Sequence, residues 1–265
     1  MGGAMTTSTD FALNAEEQES LEQLGYVIRR EVFAPDEIAD MVEHCEALVD
    51  RLVRDREENR QTFGSYVFDT DLENGVTIKW EGDSDVVHGI EPFAHLSPPL
   101  EAWGLDRRLI EPMRQIVGYD DLELFTEKLN LKRAFHGGVN PLHQDYPYWV
   151  PVADDATEVA TTIIFLDDAT LENGCLWVVP GSHKDGRWAN RTDGDRFAGN
   201  EVDLGAYPDL DEVPVELPAG STLSFDAFLV HRSAPNTSPK GRRALLYSYQ
   251  PAGRTKMIDH MHKRR

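Results

Sequence analysis

Three places in the 265-residue sequence set a carboxylate two positions after a histidine: His44-Cys45-Glu46, His143-Gln144-Asp145 and His183-Lys184-Asp185. On an extended strand or a turn, such a pair can reach one metal ion together. Nine histidines and 47 acids in this length give about 1.6 such pairs by chance, so spacing alone selects none of them. His44 and Glu46 fall inside an amphipathic helical pattern, where two positions apart means about 200° around the axis, and the pair diverges. His143-Gln144-Asp145 leads into Tyr146-Pro147-Tyr148-Trp149, an aromatic cluster suited to walling a pocket. His183-Lys184-Asp185 follows a Pro-Gly turn and enters a polar stretch, which suits a turn histidine bonded to backbone. The first pair is the preferred candidate, and the third stays open on these grounds.

A further ligand has to come from another strand. The turn Pro218-Ala219-Gly220 introduces Ser221 to Val230, in which Leu223, Phe225, Ala227 and Leu229 share a face that continues through His231 and Ser233. A compact connection, Ala234 to Gly241, precedes a returning strand from Arg242 to Gln250. A symmetric hairpin centred between Asn236 and Thr237 places Arg242 directly opposite His231. An inward guanidinium beside the Ser233 hydroxyl suits gripping a carboxylate. Singly, His231 reads as a core histidine and Arg242 as a surface charge. Together with His143 and Asp145 they match two imidazoles and one carboxylate on one side of an octahedral ion, the set used by non-haem iron(II) oxygenases. The three open positions then accept a chelating 2-oxo acid and dioxygen.

These residues need a scaffold, and its outline is readable. Asn14 can cap a short helix to Gly25, with Glu17 three residues on, and Tyr26 to Phe33 follows as a strand. A longer helix starts at Pro35, with Ile38, Met41, Val42, Cys45, Leu48, Val49, Leu52 and Val53 at spacings of three and four. Leu100 to Val117 is a third helix, stopped by Gly118. From Leu122 onward, short β-branched and aromatic runs alternate with turn clusters, which predicts a sandwich or barrel. Lys79, Trp80 and His88 are expected in a loop before the third helix, as ordinary loop residues or, alternatively, at a pocket mouth where they could read an anionic group.

Composition bounds the function. With 26 Lys+Arg against 47 Asp+Glu the formal charge is −21, and the surface lacks the basic footprint that nucleic acid or anionic membrane would need. The acid surplus is compatible with a salt-adapted source. Two cysteines, Cys45 and Cys175, make neither a disulfide framework nor a thiolate cluster. No run approaches about 18 apolar residues. The first nine residues lack the basic start and apolar run of a secretory signal, and a cytoplasmic location is expected.

The chain resembles the phytanoyl-CoA dioxygenase family of iron(II)- and 2-oxoglutarate-dependent oxygenases. The resemblance runs from Leu24-Gly-Tyr-Val-Ile-Arg-Arg-Glu-Val-Phe-Ala-Pro-Asp-Glu-Ile38 to Ala252. Its most specific pieces are His143-Gln-Asp-Tyr-Pro-Tyr-Trp149, Glu172-Asn-Gly-Cys-Leu-Trp-Val-Val-Pro-Gly-Ser-His183 and His231-Arg-Ser-Ala-Pro-Asn236, with Arg242 eleven residues after the histidine. Ala134-Phe-His-Gly-Gly138 departs from the proline-rich connection of many relatives, which leaves the pocket mouth open to difference. The resemblance implies His143, Asp145 and His231 as iron ligands, and Arg242 and Ser233 for the distal carboxylate of 2-oxoglutarate. His183 matches a turn that carries no ligand in the family. Thr126, Lys128 and Asn130, with Lys132 beyond, match a strand lining the cosubstrate and substrate pocket, Asn130 being placed at the inner end of 2-oxoglutarate. Trp149, Tyr148, Tyr146 and Trp177 are the implied substrate contacts.

The implied fold is mainly β within an α+β frame: a double-stranded β-helix, or jelly roll, with N-terminal and mid-chain helices packed on one sheet. The expectation is a single oxygenase domain over 1–265. Within it, 1–10 would be disordered or vector-derived, 11–120 a helical support region, 121–252 the core with an insert or lid at 185–212, and 253–265 a tail. The implied activity consumes Fe(II), 2-oxoglutarate and O2, hydroxylates an unactivated C–H of a small-molecule metabolite, and releases succinate and CO2. Asp145 stands where related halogenases carry Gly or Ala, which disfavours halogenation. Desaturation or ring closure on the same iron site is one alternative, and a non-catalytic metal-binding jelly-roll sensor is another. The expected partners are a small molecule, no nucleic acid and no membrane, in a monomer or homodimer.

Overall fold

The computed structural model describes residues 11–263 apart from 57, 64, 65, 83 and 192–199. The expectations for 1–10, for the middle of the 185–212 segment and for the last two positions of the tail lie outside the described residues. Helix α1, Ala15–Leu24, is capped as its sequence requires: Asn14 Oδ1 accepts from the Glu17 N–H, and Glu17 Oε2 accepts from the Asn14 N–H, both at 3.0 Å. Gly25, at φ 88°, turns the chain into strand β1, Tyr26–Arg29. Helix α2, Pro35–Asp55, starts on its proline and buries Ile38, Met41, Cys45, Leu48, Val49 and Leu52. Within it His44 and Glu46 do diverge, His44 lying 3.6 Å from Asp40 while Glu46 accepts from Arg133 and Arg243.

The stretch 61–91 is not helical support. It forms four strands, β2 (Gln61–Phe63), β3 (Tyr66–Asp71), β4 (Val76–Trp80) and β5 (Val87–Glu91), each paired antiparallel with the next. Lys79, Trp80 and His88 therefore sit in strands rather than in a loop. In β4 the buried residues alternate, Val76, Ile78 and Trp80 on one face and Thr77 and Lys79 on the other. The single helix expected over Leu100–Val117 is two, α3 (Pro98–Gly104) and α4 (Arg107–Val117). Asp106 breaks the run because its Oδ1 takes the Arg108 N–H at 2.8 Å and so caps α4. Arg108 then bonds Glu37 at the start of α2 at 2.7 Å, locking the two helices together.

The remaining elements are β6 (Leu122–Lys132), β7 (Asn140–His143), α5 (Tyr146–Trp149), β8 (Ala160–Phe165), β9 (Leu176–Val178), β10 (Val213–Val215), β11 (Thr222–Asp226), β12 (His231–Ser233), β13 (Arg242–Pro251) and α6 (Met257–His262). They build two antiparallel sheets, a large one in the order β1-β11-β8-β13-β6-β5-β4-β3-β2 and a small one in the order β10-β9-β12-β7. This is the jelly-roll architecture the sequence implied. Strand β8 reads as an unbroken buried run because it is covered on both faces. Ile163 and Phe165 join the cluster between the sheets, with Leu176, Val178 and Leu223, whereas Ile164 joins the cluster beneath α2, with Met41, Cys45, Leu245 and Tyr247.

One expectation about connectivity fails here. Ser221 to Ser233 is not one strand, since β11 belongs to the large sheet and β12 to the small one, with Asp226 accepting from the Phe228 and Leu229 N–H groups at the break. Nor do β12 and β13 form a hairpin, because residues 234–241 carry the chain from the small sheet across to the large one. Arg242 pairs with Lys132 and not with His231. The crossover is held by Asn236, which is buried. Its Nδ2 donates to Lys132 O and Arg133 O at 3.1 Å and to Lys240 O at 2.7 Å, and its Oδ1 accepts from the Ser238 N–H at 2.9 Å. Replacing that amide leaves several buried carbonyls without donors. Asn236→Ala is expected to lower stability by about 1–3 kcal/mol, read as a lower urea midpoint.

Candidate metal centre and cavity

His231 on β12 is the direct antiparallel partner of His143, the last residue of β7. Directly opposed residues point to the same face with close Cβ atoms, so register brings the two imidazoles together, their ring centroids 4.3 Å apart. Each ring is oriented by a backbone carbonyl two residues earlier: Pro141 O lies 2.7 Å from His143 Nδ1, and Leu229 O lies 3.0 Å from His231 Nδ1. That leaves the Nε2 atoms for a shared partner. Asp145 begins the turn into α5 without capping it, and its Oδ1 lies 3.8 Å from His143 Nε2. One donor atom from each of the three residues lies within 4.8 Å of the others.

Between the two ligand candidates, Gln144 points the opposite way and is buried. Its Nε2 donates to Gly186 O at 2.8 Å and to Phe228 O at 2.6 Å, while its Oε1 accepts from the Trp188 N–H at 2.8 Å. The side chain thus ties β7 to two neighbouring segments and fixes the direction in which His143 and Asp145 project. Sequence reading missed this role, although a polar residue between two alternating site residues on a strand must face away from the site and needs partners there.

The electrostatics favour a cation. Burial, with His231 alongside, holds the His143 imidazolium well below the usual histidine range, so the ring is neutral. Burial also pushes the Asp145 carboxyl up, opposed by His231 and Lys128. A divalent ion among the donors suits imidazole ligands and favours the carboxylate anion, so the residues present fit a metal.

Arg242, on the opposite sheet, and Ser233, two residues beyond His231 on β12, are both buried, and among the described residues neither the Arg242 Nε nor the Ser233 Oγ has a hydrogen-bond partner. Burial lowers the Arg242 pKa to about 10, which leaves the guanidinium charged at neutral pH. Two such donors beside the triad form a set that one carboxylate completes. Arg243, the next residue, turns the other way and bonds Asp167 at 2.7 Å and Glu46 at 3.1 Å.

A cavity of about 490 Å³ joins these groups. His143, Asp145, His231, Ser233, Arg242, Lys128, Asn130, Tyr148 and Trp149 all line it. Three expected residues do not. Thr126 lies behind Glu91, donating to its Oε1 at 3.1 Å, and Tyr146 stacks on Phe228. Trp177 faces outward from β9 under the Arg232 guanidinium, because Leu176 and Val178 take the inward positions. Lys132 aims at the 133–139 loop and donates to Gly138 O at 2.5 Å. His183 packs against Gly25, where an added Cβ would lie 2.4 Å from its Nδ1, and has no place in the triad.

Comparison with known proteins gives concordant matches. The family model for phytanoyl-CoA dioxygenase matches residues 21–244. A phytanoyl-CoA dioxygenase of Arabidopsis thaliana is 37% identical over 128 residues, which span 48% of this chain and only 44% of that protein. The L-proline trans-4-hydroxylase of Streptomyces griseoviridis is 32% identical over 191 residues, 64% of this chain and 69% of that protein. Among solved structures, the non-heme alpha-ketoglutarate-dependent carbocyclase of nogalamycin biosynthesis superposes with a TM-score of 0.69 at 21% identity, covering 92% of this chain and 87% of that one, and this likeness shows the fold.

A buried charge without a partner costs stability. Arg242→Met is therefore expected to raise the stability of the ligand-free protein by about 1–3 kcal/mol. A urea midpoint that falls instead would mean the guanidinium is satisfied within the fold.

Proposed function

The chain belongs to the phytanoyl-CoA dioxygenase family, and on that premise we propose that it is an iron(II)- and 2-oxoglutarate-dependent dioxygenase. In this reading it hydroxylates an unactivated C–H bond of a small-molecule metabolite and releases succinate and CO2. The observation that carries the reading is the pairing of two things in one cavity: the convergent His143, Asp145 and His231 donors, and a buried Arg242 Nε and Ser233 hydroxyl without partners among the described residues.

His143 and His231 would hold the ion through Nε2, their tautomers set by the carbonyls at Nδ1, and Asp145 would supply the anionic ligand. The bound iron supplies the redox chemistry that couples dioxygen to decarboxylation of the 2-oxo acid. Arg242 and Ser233 would hold the distal carboxylate by charge-assisted bonds, and Asn130, which also lines the cavity, would take the inner end. Holding the ion with these three protein groups alone would leave it accessible to small molecules in the cavity. Tyr148, edge-on to His143 at 5.7 Å, and Trp149, edge-on to Phe125, exclude water from one side of the triad and orient substrate there.

Asp145→Ala and His231→Ala are each expected to abolish succinate formation from 2-oxoglutarate, and retained turnover in both would sink the assignment. Arg242→Ala is expected to raise the apparent KM for 2-oxoglutarate at least about tenfold, because a buried charge-assisted fork is lost. Anaerobic titration with Fe(II) and 2-oxoglutarate should develop a weak visible charge-transfer band, and ¹⁸O₂ should label a hydroxylated product. A product of unchanged oxygen content would redirect the reading to desaturation or ring closure.

A further inference from the structure

Strand β5 carries one residue more than its neighbour β4. Lys79 pairs with Gly89 and Trp80 with Val87, so a single step on β4 faces a double step on β5, and His88 is the extra residue. Plain alternation from Ile90 would send His88 to the helix side of the sheet. The bulge gives that place to Val87, which joins Ile78, Trp80 and Ile90 in the apolar layer beneath α2, and His88 lines the cavity instead. Bulges beside functional sites re-aim side chains in this way.

The ring is fixed where the bulge puts it. His88 is buried, its Nδ1 is bonded to Glu81 Oε1, and Glu81 Oε2 accepts from the Gly138 N–H at 2.8 Å. Lys132 Nζ donates to Gly138 O at 2.5 Å, so the loop that supplies this N–H is itself held. Burial works against the Glu81 charge, but the bonds from His88 and Gly138 outweigh it and keep the carboxyl below its usual range. Burial also holds the imidazole neutral, with a pKa of about 4. A carboxylate has no proton to give, so the one ring proton sits on Nδ1 and the lone pair on Nε2. Among the described residues Nε2 has no hydrogen-bond partner.

An oriented lone pair at a cavity wall calls for a donor. A buried ammonium would need a carboxylate of its own, and Glu81 is already taken by His88 and Gly138, whereas a hydroxyl needs only the one acceptor. Ile163, Leu176, Leu246, Met257 and Met261 offer an apolar wall to the rest of such a molecule. We propose that the cavity holds a hydroxyl subsite, in which His88, aimed by the β5 bulge and held by Glu81, accepts a hydrogen bond from an otherwise apolar substrate. Its use as a substrate subsite rests on the oxygenase reading, but the acceptor itself rests on the fold.

Cyclohexanol, cyclohexanone and cyclohexylammonium share a ring and differ in what they donate. Each is titrated into the full chain, with Zn(II) and saturating 2-oxoglutarate and again with neither. Binding is followed by calorimetry and by ¹⁵N spectra of the histidine rings, His88 being assigned by its loss in His88→Phe or His88→Gln. The alcohol should bind more tightly than the other two and shift Nε2 toward the position of a hydrogen-bonded nitrogen, and the ketone should leave that signal in place. His88→Phe should weaken the alcohol about fivefold, His88→Gln should retain most of the affinity, and the loss in His88→Phe should fall at least about threefold more on the alcohol than on 2-oxoglutarate. A proton found on Nε2, equal binding of the three probes, or an equal loss for 2-oxoglutarate would each overturn the proposal. Alcohol selectivity at His88 in a protein that binds no 2-oxoglutarate would support the hydroxyl site and defeat the oxygenase reading, so the two fail separately.

Discussion

Two imidazoles held opposite one another across a pair of very short antiparallel strands set the terms for everything around them. Strand β7 has four residues and β12 three, with an irregularity between His231 and Ser233, so the ladder between them contributes few bonds. A slip of one residue would send a histidine to the opposite face. The register is held from outside the pair. Gln144 clamps β7, Ser182 Oγ accepts from the Val230 N–H at 2.9 Å just before β12, and β9 pairs along the other edge of β12. The neighbouring turns are therefore part of the site in the mechanical sense, although none of their side chains enters the cavity.

The second demand is that a buried cation face this pair from the opposite sheet, in a chain of net charge −21. Lys132 and Arg242 are direct cross-strand partners, an arrangement of like charges that opposes folding. Burial lowers both pKa values, that of Lys132 to about 7. Acids around the cavity temper this at a distance: Glu46 and Asp167 bind Arg243 and Arg133 on the helix side, and Glu81 and Glu91 border the cavity side. The large apolar layer between α2, α4 and the outer face of the sheet offsets what the polar face costs. Net charge thus describes the exterior, while the cavity lining gathers Lys128, Arg232 and Arg242 beside Glu91 and Asp145.

Residues whose roles follow from local chemistry were legible in the sequence. The Asn14–Glu17 cap, the Pro35 start and the divergence of His44 from Glu46 need only helix geometry, and the motif His143-Gln-Asp145 with His231 needs only ligand chemistry. What failed was long-range pairing. Arg242 and Ser233 do line the cavity, but the sequence argument grouped them for a mistaken reason, since a hairpin through 234–241 would have set Arg242 beside His231, whereas a sheet-to-sheet crossover sets it on the opposite sheet. Short connections default to hairpins, and only the buried bonds of Asn236 distinguish this one. Strands β2 to β5 were missed because each is short and the alternation of β4 does not extend through its neighbours, so their covering by adjacent strands and helices decides their structure. Trp177 was misplaced by one position of strand phase, which depends on where β9 begins.

Strand β13 follows all the other strands in the chain, yet it lies between β8 and β6, near the middle of the large sheet. Until it inserts, that sheet is two fragments with facing unpaired edges, joined by contacts of long sequence separation. Folding should accordingly be slow and exposed to edge-to-edge association at that stage. Because Arg242 is the first residue of β13, closure of the sheet and arrival of the guanidinium are one event. An intermediate lacking that strand would carry both histidines without the guanidinium, so the two sides of the cavity's polar lining meet only when the sheet closes.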